Sequence, residues 1–178
     1  MLIGIIIIIS TLLLDQVTKQ LAYHLIAPNF VGSNTVIIPN ILELSYYENT
    51  GASLGFLSDF AYKDVVFFLI TVLSLVIFGY FFKDSDYKNK KVFSISIALF
   101  ISGTLGNAID RAIFGFVIDF LHYPFLDFLD RINGLSNFTN NLADNYLSAA
   151  IVLFAIDLFF FESKRLKKEK ELQNDPAN

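Results

Sequence analysis

Four apolar blocks, each long enough to cross a bilayer as helix, alternate with short polar stretches along the chain. About 20 residues, within a range of roughly 17–25, suffice for a crossing. The first block predicts a helix over about 2–26, with Asp15 and Lys19 one turn apart on one face. Pro28, Asn29, Gly32, Ser33 and Asn34 end it. The second covers 65–82 without a charge, and the third 92–114, where Gly103 and Gly106 permit close helix contact. The fourth opens at Asn141-Leu142-Ala143-Asp144 and runs to about 161. Between the first two helices the period changes. Leu42, Leu44 and Tyr46 alternate with Glu43, Ser45 and Tyr47, and Pro39-Asn40 signals a turn. The segment 27–62 therefore reads as a small sheet on the membrane surface. The segment 115–140 reads as a loop, long against the usual median of about 4–6 residues. The fold class is membrane α-helical: four transmembrane helices with a small extracytoplasmic β-sheet between helices one and two. Residues 1–163 form one polytopic domain, and 164–178 form a charged tail.

Composition agrees with this pattern and narrows the chemistry. Of 178 residues 54% are hydrophobic, above the roughly 45–50% of soluble domains. The net charge of −4 argues against nucleic acid as a partner. Without cysteine there is no disulfide, thiol nucleophile or cysteine metal site. His24 and His122 are too few for a histidine-rich metal site, so no metal or cofactor is expected. Lysine and arginine set the orientation. Lys83, Lys88, Lys90 and Lys91 crowd one turn, and Lys164, Arg165, Lys167, Lys168 and Lys170 the tail. The 27–62 segment has none, and 115–140 has only Arg131. Both termini and the 83–91 turn are thus expected in the cytoplasm, with the 27–62 and 115–140 segments at the outer face.

The candidate chemistry centres on Gly106 to Phe120, GNAIDRAIFGFVIDF. Polar groups in hydrocarbon cost several kcal/mol unless partnered, so ionisable residues there mark functional sites. The topology brings Asp15, Lys19, Asn49, Gly51, Asn107, Arg111, Asp119, Asn141 and Asp144 to one membrane boundary. Asp119 and Asp144 are the candidate catalytic pair. Two carboxylates brought close share a proton, so one activates water while the other polarises a carbonyl. Asp144, at a helix N-terminus, is the more readily ionised partner. Structural readings stand beside these. Asn141 and Asp144 also fit a helix N-cap and its third-position acid. Asp15 and Lys19 fit an i,i+4 ion pair, and Asn107 with Arg111 fits helix–helix contact. Asp110 is expected to support Arg111 or pack against another helix, and Asp157 to pair with Lys164 or the tail. Two rivals remain. Gly51-Ala52-Ser53-Leu54-Gly55 fits a serine nucleophile elbow, with His122 later in the chain. A small transporter or assembly factor is the non-enzymatic alternative.

These motifs resemble those of the lipoprotein signal peptidases (signal peptidase II), bacterial membrane aspartic peptidases. Asp15-Gln16-Val17-Thr18-Lys19 is similar to that family's D-Q-x-T/S-K, and Asn49-Thr50-Gly51-Ala52-Ser53 to its N-x-G-A-A/S. Gly106 to Phe120 matches G-N-x-x-D-R-x-x-x-G-x-V-x-D-F, and Asn141-Leu142-Ala143-Asp144 matches N-x-A-D. The resemblance runs from Asp15 to about Phe160. It departs at Asn140, where the family has Phe, here displaced to Phe138, and at Ser102, where it has Gly. The resemblance implies catalysis by Asp119 and Asp144. Asn49, Asn107, Arg111 and Asn141 would shape the site and hold substrate, and Asp15 and Lys19 would support it. It further implies cleavage of diacylglyceryl-modified prolipoproteins before the lipidated cysteine. The partners implied are those substrates and membrane lipids, with a monomeric enzyme.

Overall fold

A computed structural model of the chain describes residues 1–29, 34–51, 60–127 and 139–173. Ser53 and the rest of 52–59, together with Gly32, Ser33, Arg131 and Phe138, lie outside the described residues. Helix α1 (Leu2–Leu21) continues through a π-helical turn (Ala22–Ile26) and a short 3-10 turn (Ala27–Asn29). Strands β1 (Thr35–Ile38) and β2 (Leu42–Asn49) follow, then α2 (Lys63–Phe82) and α3 (Lys91–Phe114). Next come β3 (Val117–His122), β4 (Thr139–Asn140) and α4 (Leu142–Ile156). A second π-helical turn (Asp157–Glu162) leads into α5 (Ser163–Gln173). Four helical spans are long and apolar enough to cross a membrane: Leu2–Asn29, Lys63–Phe82, Lys91–Phe114 and Leu142–Lys167.

The third of these is the hub. Half of its most apolar window is buried, against 6% for α2, because α1, α2 and α4 all pack on it. Its inner face carries Ser94, Ser96, Ala98, Ser102, Gly103 and Gly106, all buried. A Cβ on Gly103 would stand 2.7 Å from the Ala143 carbonyl oxygen, and one on Gly106 only 2.5 Å from Asp15 Oδ2. Hydrogen in place of a side chain therefore lets α1 and α4 close on α3, as their spacing predicts. Ser102 is buried and within 2.6 Å of Thr11 Oγ1, so α1 and α3 share a hydroxyl hydrogen bond there. By contrast α2 turns Val65, Phe68, Leu69, Val72, Leu73 and Val76 outward. An exposed apolar face of that extent belongs in lipid.

The sheet corrects one sequence expectation. It has four antiparallel strands in the order β1-β2-β3-β4, and only the first two lie between helices one and two. The segment 115–140, expected as a loop, supplies β3 and β4. Every residue of β3 is buried, so it shows none of the polar–apolar alternation that marks a half-exposed strand. The β1–β2 turn has Pro39 and Asn40 at its centre, with Ile41 N donating to the Ile38 carbonyl (3.0 Å). Asn40 has φ +59, the left-handed conformation that a turn of this kind needs at its third position. Gly115 does the same work for α3. At φ +79 it ends the helix, its N–H donating to the Arg111 carbonyl, and reverses the chain into β3. Ile118 and Phe120 then pack with Ala22, Tyr23, Leu44 and Phe114 beneath the sheet.

Candidate active site

Asp119 sits in the middle of β3, opposite Tyr47 of β2. Side chains alternate along a strand, so it faces away from Ile118 and Phe120 and toward the helix ends. Asp144 is the third residue of α4. The two carboxylates line one cavity of about 220 Å³ together with Asn49, Asn107, Arg111 and Asn140.

Three asparagines hold the pair, and each is oriented in the same way. A side-chain amide has one oxygen that accepts and one nitrogen that donates, so fixing the oxygen on a donor aims the nitrogen. Asn49 Oδ1 accepts the Gly51 N–H (3.0 Å), which leaves Nδ2 to donate to Asp119 Oδ2 (2.9 Å). Asn107 Oδ1 accepts from Lys19 Nζ (2.9 Å), and its Nδ2 donates to Asp144 Oδ1 (2.7 Å). Asn141 Oδ1 accepts the Asp144 N–H (3.0 Å), and its Nδ2 donates to Asp119 Oδ1 (2.6 Å). Asp144 Oδ2 in turn accepts the Asn141 N–H (3.3 Å), completing a capping box at the start of α4. The helix-capping role of Asn141 does not compete with its place beside the carboxylates: one asparagine caps α4 and touches both.

Beneath the pair lies a buried ionic cluster. Lys19 is fully buried between Asp15 (3.1 Å) and Asp110 (3.1 Å). A lone charge there would be costly, and two flanking carboxylates plus the Asn107 oxygen take its three N–H donors. Asp15 reaches further, its Oδ1 accepting the Ala143 N–H (2.8 Å), one of the backbone donors that a helix start leaves unpaired. Asp110 Oδ2 accepts the Ile118 N–H (3.0 Å) and so fastens α3 to β3. Its partner is thus Lys19 rather than Arg111. A lysine enclosed in a helix bundle needs more than one acceptor, and Asp110 faces it from the neighbouring helix. Gln16, unassigned by sequence reasoning, bonds Asp15 (3.2 Å), Asp110 (3.1 Å) and the Gly106 carbonyl (3.1 Å). Its place between Asp15 and Lys19 in a short polar run was the available signal.

Arg111 turns to the other wall. Its Nη2 donates to the Gly51 carbonyl (3.0 Å), and its guanidinium lies 4.4 Å from the centre of the Phe67 ring. This clamp secures the backbone that orients Asn49. All nine sequence-selected residues thus stand in one connected network. Sequence reasoning also missed the lining residues Leu147, Ser148 and Ile151, one face of α4 with no polar pattern to mark it.

Burial pushes the Asp119 carboxyl up to about 8, and the neighbouring Asp144 carboxylate adds to the shift. The amides of Asn49 and Asn141, and the charge of Lys19, pull the other way. A carboxyl that keeps its proton at neutral pH, beside a second carboxyl held by amide donors, matches an acid paired with a base.

A family model described as signal peptidase (SPase) II matches residues 7–160. A lipoprotein signal peptidase of Staphylococcus aureus (strain MRSA252) is 34% identical over 171 residues, covering 96% of this chain and 94% of that protein. The counterpart from strain JH9 matches to the same extent. Two solved structures are similar, both bacterial membrane enzymes studied by the in meso method. The one at 2.3 Å has a TM-score of 0.70 and 31% identity over 87% of this chain and 86% of that one. The one at 1.9 Å has a TM-score of 0.69 and 31% identity over 89% and 93%.

Proposed function

The chain belongs to the signal peptidase II family, and from that membership we propose that it is an aspartic endopeptidase whose catalytic pair is Asp119 and Asp144. It is a multi-pass membrane peptidase that removes signal peptides from lipoproteins. The observation that carries the aspartic reading is the convergence of three oriented asparagine amides on two carboxylates lining one cavity.

In this mechanism Asp119 holds the shared proton and Asp144, at the α4 N-terminus, is ionised. Asp144 takes a proton from water as the water oxygen bonds to the scissile carbonyl carbon. Asp119 gives its proton to the carbonyl oxygen. Collapse of the resulting diol breaks the carbon–nitrogen bond: Asp144 passes its proton to the leaving amine while one diol hydroxyl returns a proton to Asp119, which restores the starting pair. Asn49, Asn107 and Asn141 keep both carboxyl groups in register through these transfers. Lys19 and Asp15 act as positioning residues beneath them, Lys19 through Asn107. A site at the end of the bundle, beside the lipid-facing outer wall of α2, suits a substrate whose lipid stays in the bilayer while its peptide reaches the pair. The cleaved bond is then the one preceding the lipid-bearing cysteine of the prolipoprotein, and the enzyme works as a monomer.

Asp119→Asn and Asp144→Asn are the direct test, assayed on a lipidated precursor in detergent. Each is expected to lower the rate by about 10²–10⁴-fold, the usual worth of general acid–base catalysis. Wild-type rates in both variants would end the aspartic reading. Ser53→Ala is expected to cleave normally, whereas a serine mechanism requires it to be dead.

A further inference from the structure

A second charged feature lies at the opposite end of the bundle. Helix α3 starts there at Lys91, roughly 36 Å of helix from the carboxylate end, taking its 24 residues at 1.5 Å each. Two adjoining clefts of about 330 Å³ each open between this end and the π-helical exit of α4, and both are bordered by Asp157 and Arg165. The shallower cleft is ringed by Lys88, Lys91 and Lys164. The deeper one is walled by Phe81, Phe93, Phe154 and Leu158, with Asp84 and Glu162 among its polar lining residues.

The charge balance of the shallow cleft is one-sided. Asp157 is buried and taken bidentately by Arg165, at 2.9 Å to Oδ1 and 2.5 Å to Oδ2, so the shared floor is close to neutral. Lys88, Lys91 and Lys164 form no ion pair among the described residues. Their placement is built into the fold. Asp86 accepts the Lys88 N–H (2.9 Å), the Asn89 N–H (3.1 Å) and Asn89 Nδ2 (2.7 Å), which fixes the turn that leads into α3. The π-helical turn Asp157–Glu162 brings Lys164 round to the same rim, and leaves Phe159 and Phe160 facing lipid. Lys83, on the same turn, lies over the Tyr80 ring at 5.9 Å and does not line either cleft.

We propose that these clefts form a binding site for one anionic phospholipid of the adjacent leaflet. Its phosphate sits among the ammonium groups of Lys88, Lys91 and Lys164. An acyl chain follows Phe81, Phe93 and Leu158. The juxtaposition of a cationic mouth and an aromatic wall at a bundle end selects a lipid over a soluble anion, which would leave the wall empty.

The test uses the full chain in zwitterionic micelles, titrated with phosphatidylglycerol or phosphatidylcholine and followed by thermal unfolding. Phosphatidylglycerol is expected to raise Tm with a saturable midpoint, and phosphatidylcholine to have little effect. The triple variant Lys88→Gln/Lys91→Gln/Lys164→Gln is expected to weaken binding on the order of a hundredfold, from the usual worth of a basic residue near anionic lipid. Leu158→Trp keeps every charge and fills the apolar wall, and it too is expected to weaken binding; it decides the matter if the triple variant does not fold. Lys83→Gln/Lys170→Gln is the control and is expected to bind normally. Precursor cleavage in lipid-free detergent is expected to be unchanged in all of them. Equal binding by the triple variant and Leu158→Trp overturns the site. So does an equal loss in the control, which would mean a diffuse basic belt, or an equal Tm rise with inorganic phosphate, which would mean a free anion.

Discussion

An asparagine next to a carboxylate is useful only if its amide points the right way, and here each of the three is locked by a separate donor. Asn107 is the most exposed to test, because its oxygen is held by Lys19 across the helix interface. Asn107→Leu removes the amide from Asp144 and strands one Lys19 donor, a loss of about 1–3 kcal/mol for a buried unpaired polar group. The cleavage rate is expected to fall while the precursor KM changes little, since the amide serves the carboxylate rather than the peptide. Lys19→Met goes further and leaves Asp15 and Asp110 facing each other without a cation. Breaking a buried pair costs about 3–5 kcal/mol, so thermal unfolding in detergent should show a large drop. Asp119 adds a pH signature. Its carboxyl keeps a proton up to about 8, well above the ordinary carboxylate value of 3.8. The folded form therefore binds that proton more tightly than the unfolded chain, so the stability it contributes is fully present below 3.8, falls as pH rises from there and is gone above about 8. The rate should decline as pH passes about 8, where the pair loses its shared proton. A rate that stays flat from pH 7 to 10 would contradict the assignment of that proton to Asp119.

Elements matter here chiefly for what they bring together. Gly106 is a tight junction, since a methyl there would meet an Asp15 carboxylate that Lys19 and the Ala143 N–H already hold in place. Gly106→Ala is thus expected to destabilise by about 1–3 kcal/mol despite alanine's better helix propensity, the usual cost of overpacking. Gly79→Ala on α2, where nothing lies within 4 Å of the added carbon, should leave stability and cleavage near wild type. The contrast separates a packing requirement from a general intolerance of substitution. The same junction shows what periodicity reveals and what it hides. The small residues of α3 were legible as a contact face. Strand β3 was not, because a strand buried on both faces looks like the apolar tail of the helix before it. Asp119 consequently fell in a segment that reads as a loop, although Gly115 reverses the chain and β2 then holds the aspartate opposite Tyr47. The Lys19–Asp110 pair was hidden for another reason: its partners are on different helices, and no local spacing encodes it.

At the scale of the whole molecule the apolar blocks were readable because a membrane imposes length and excludes charge, and each of the four predicted helices coincides with an apolar span. Orientation is a separate inference, resting on where the lysines and arginines lie. The described part of the 27–62 segment carries β1 and β2, free of basic residues, while the 83–91 turn and α5 hold most of them. Cytoplasmic retention of basic loops would then put the Asp119–Asp144 pair at the outer face and both termini inside, which is the orientation we propose. The chain's lack of cysteine makes this directly measurable, because a single introduced thiol is the only one present. Val36→Cys on β1 is exposed and distant from the carboxylates' hydrogen bonds; Lys170→Cys lies on α5. In intact cells a membrane-impermeant maleimide is expected to label position 36 and not position 170, with both labelled after permeabilisation. The reverse pattern would put the peptidase site on the cytoplasmic side and remove the charge argument for its topology. Labelling of both positions in intact cells would show two coexisting orientations, and the basic turn at 83–91 would then be too weak to fix the bundle.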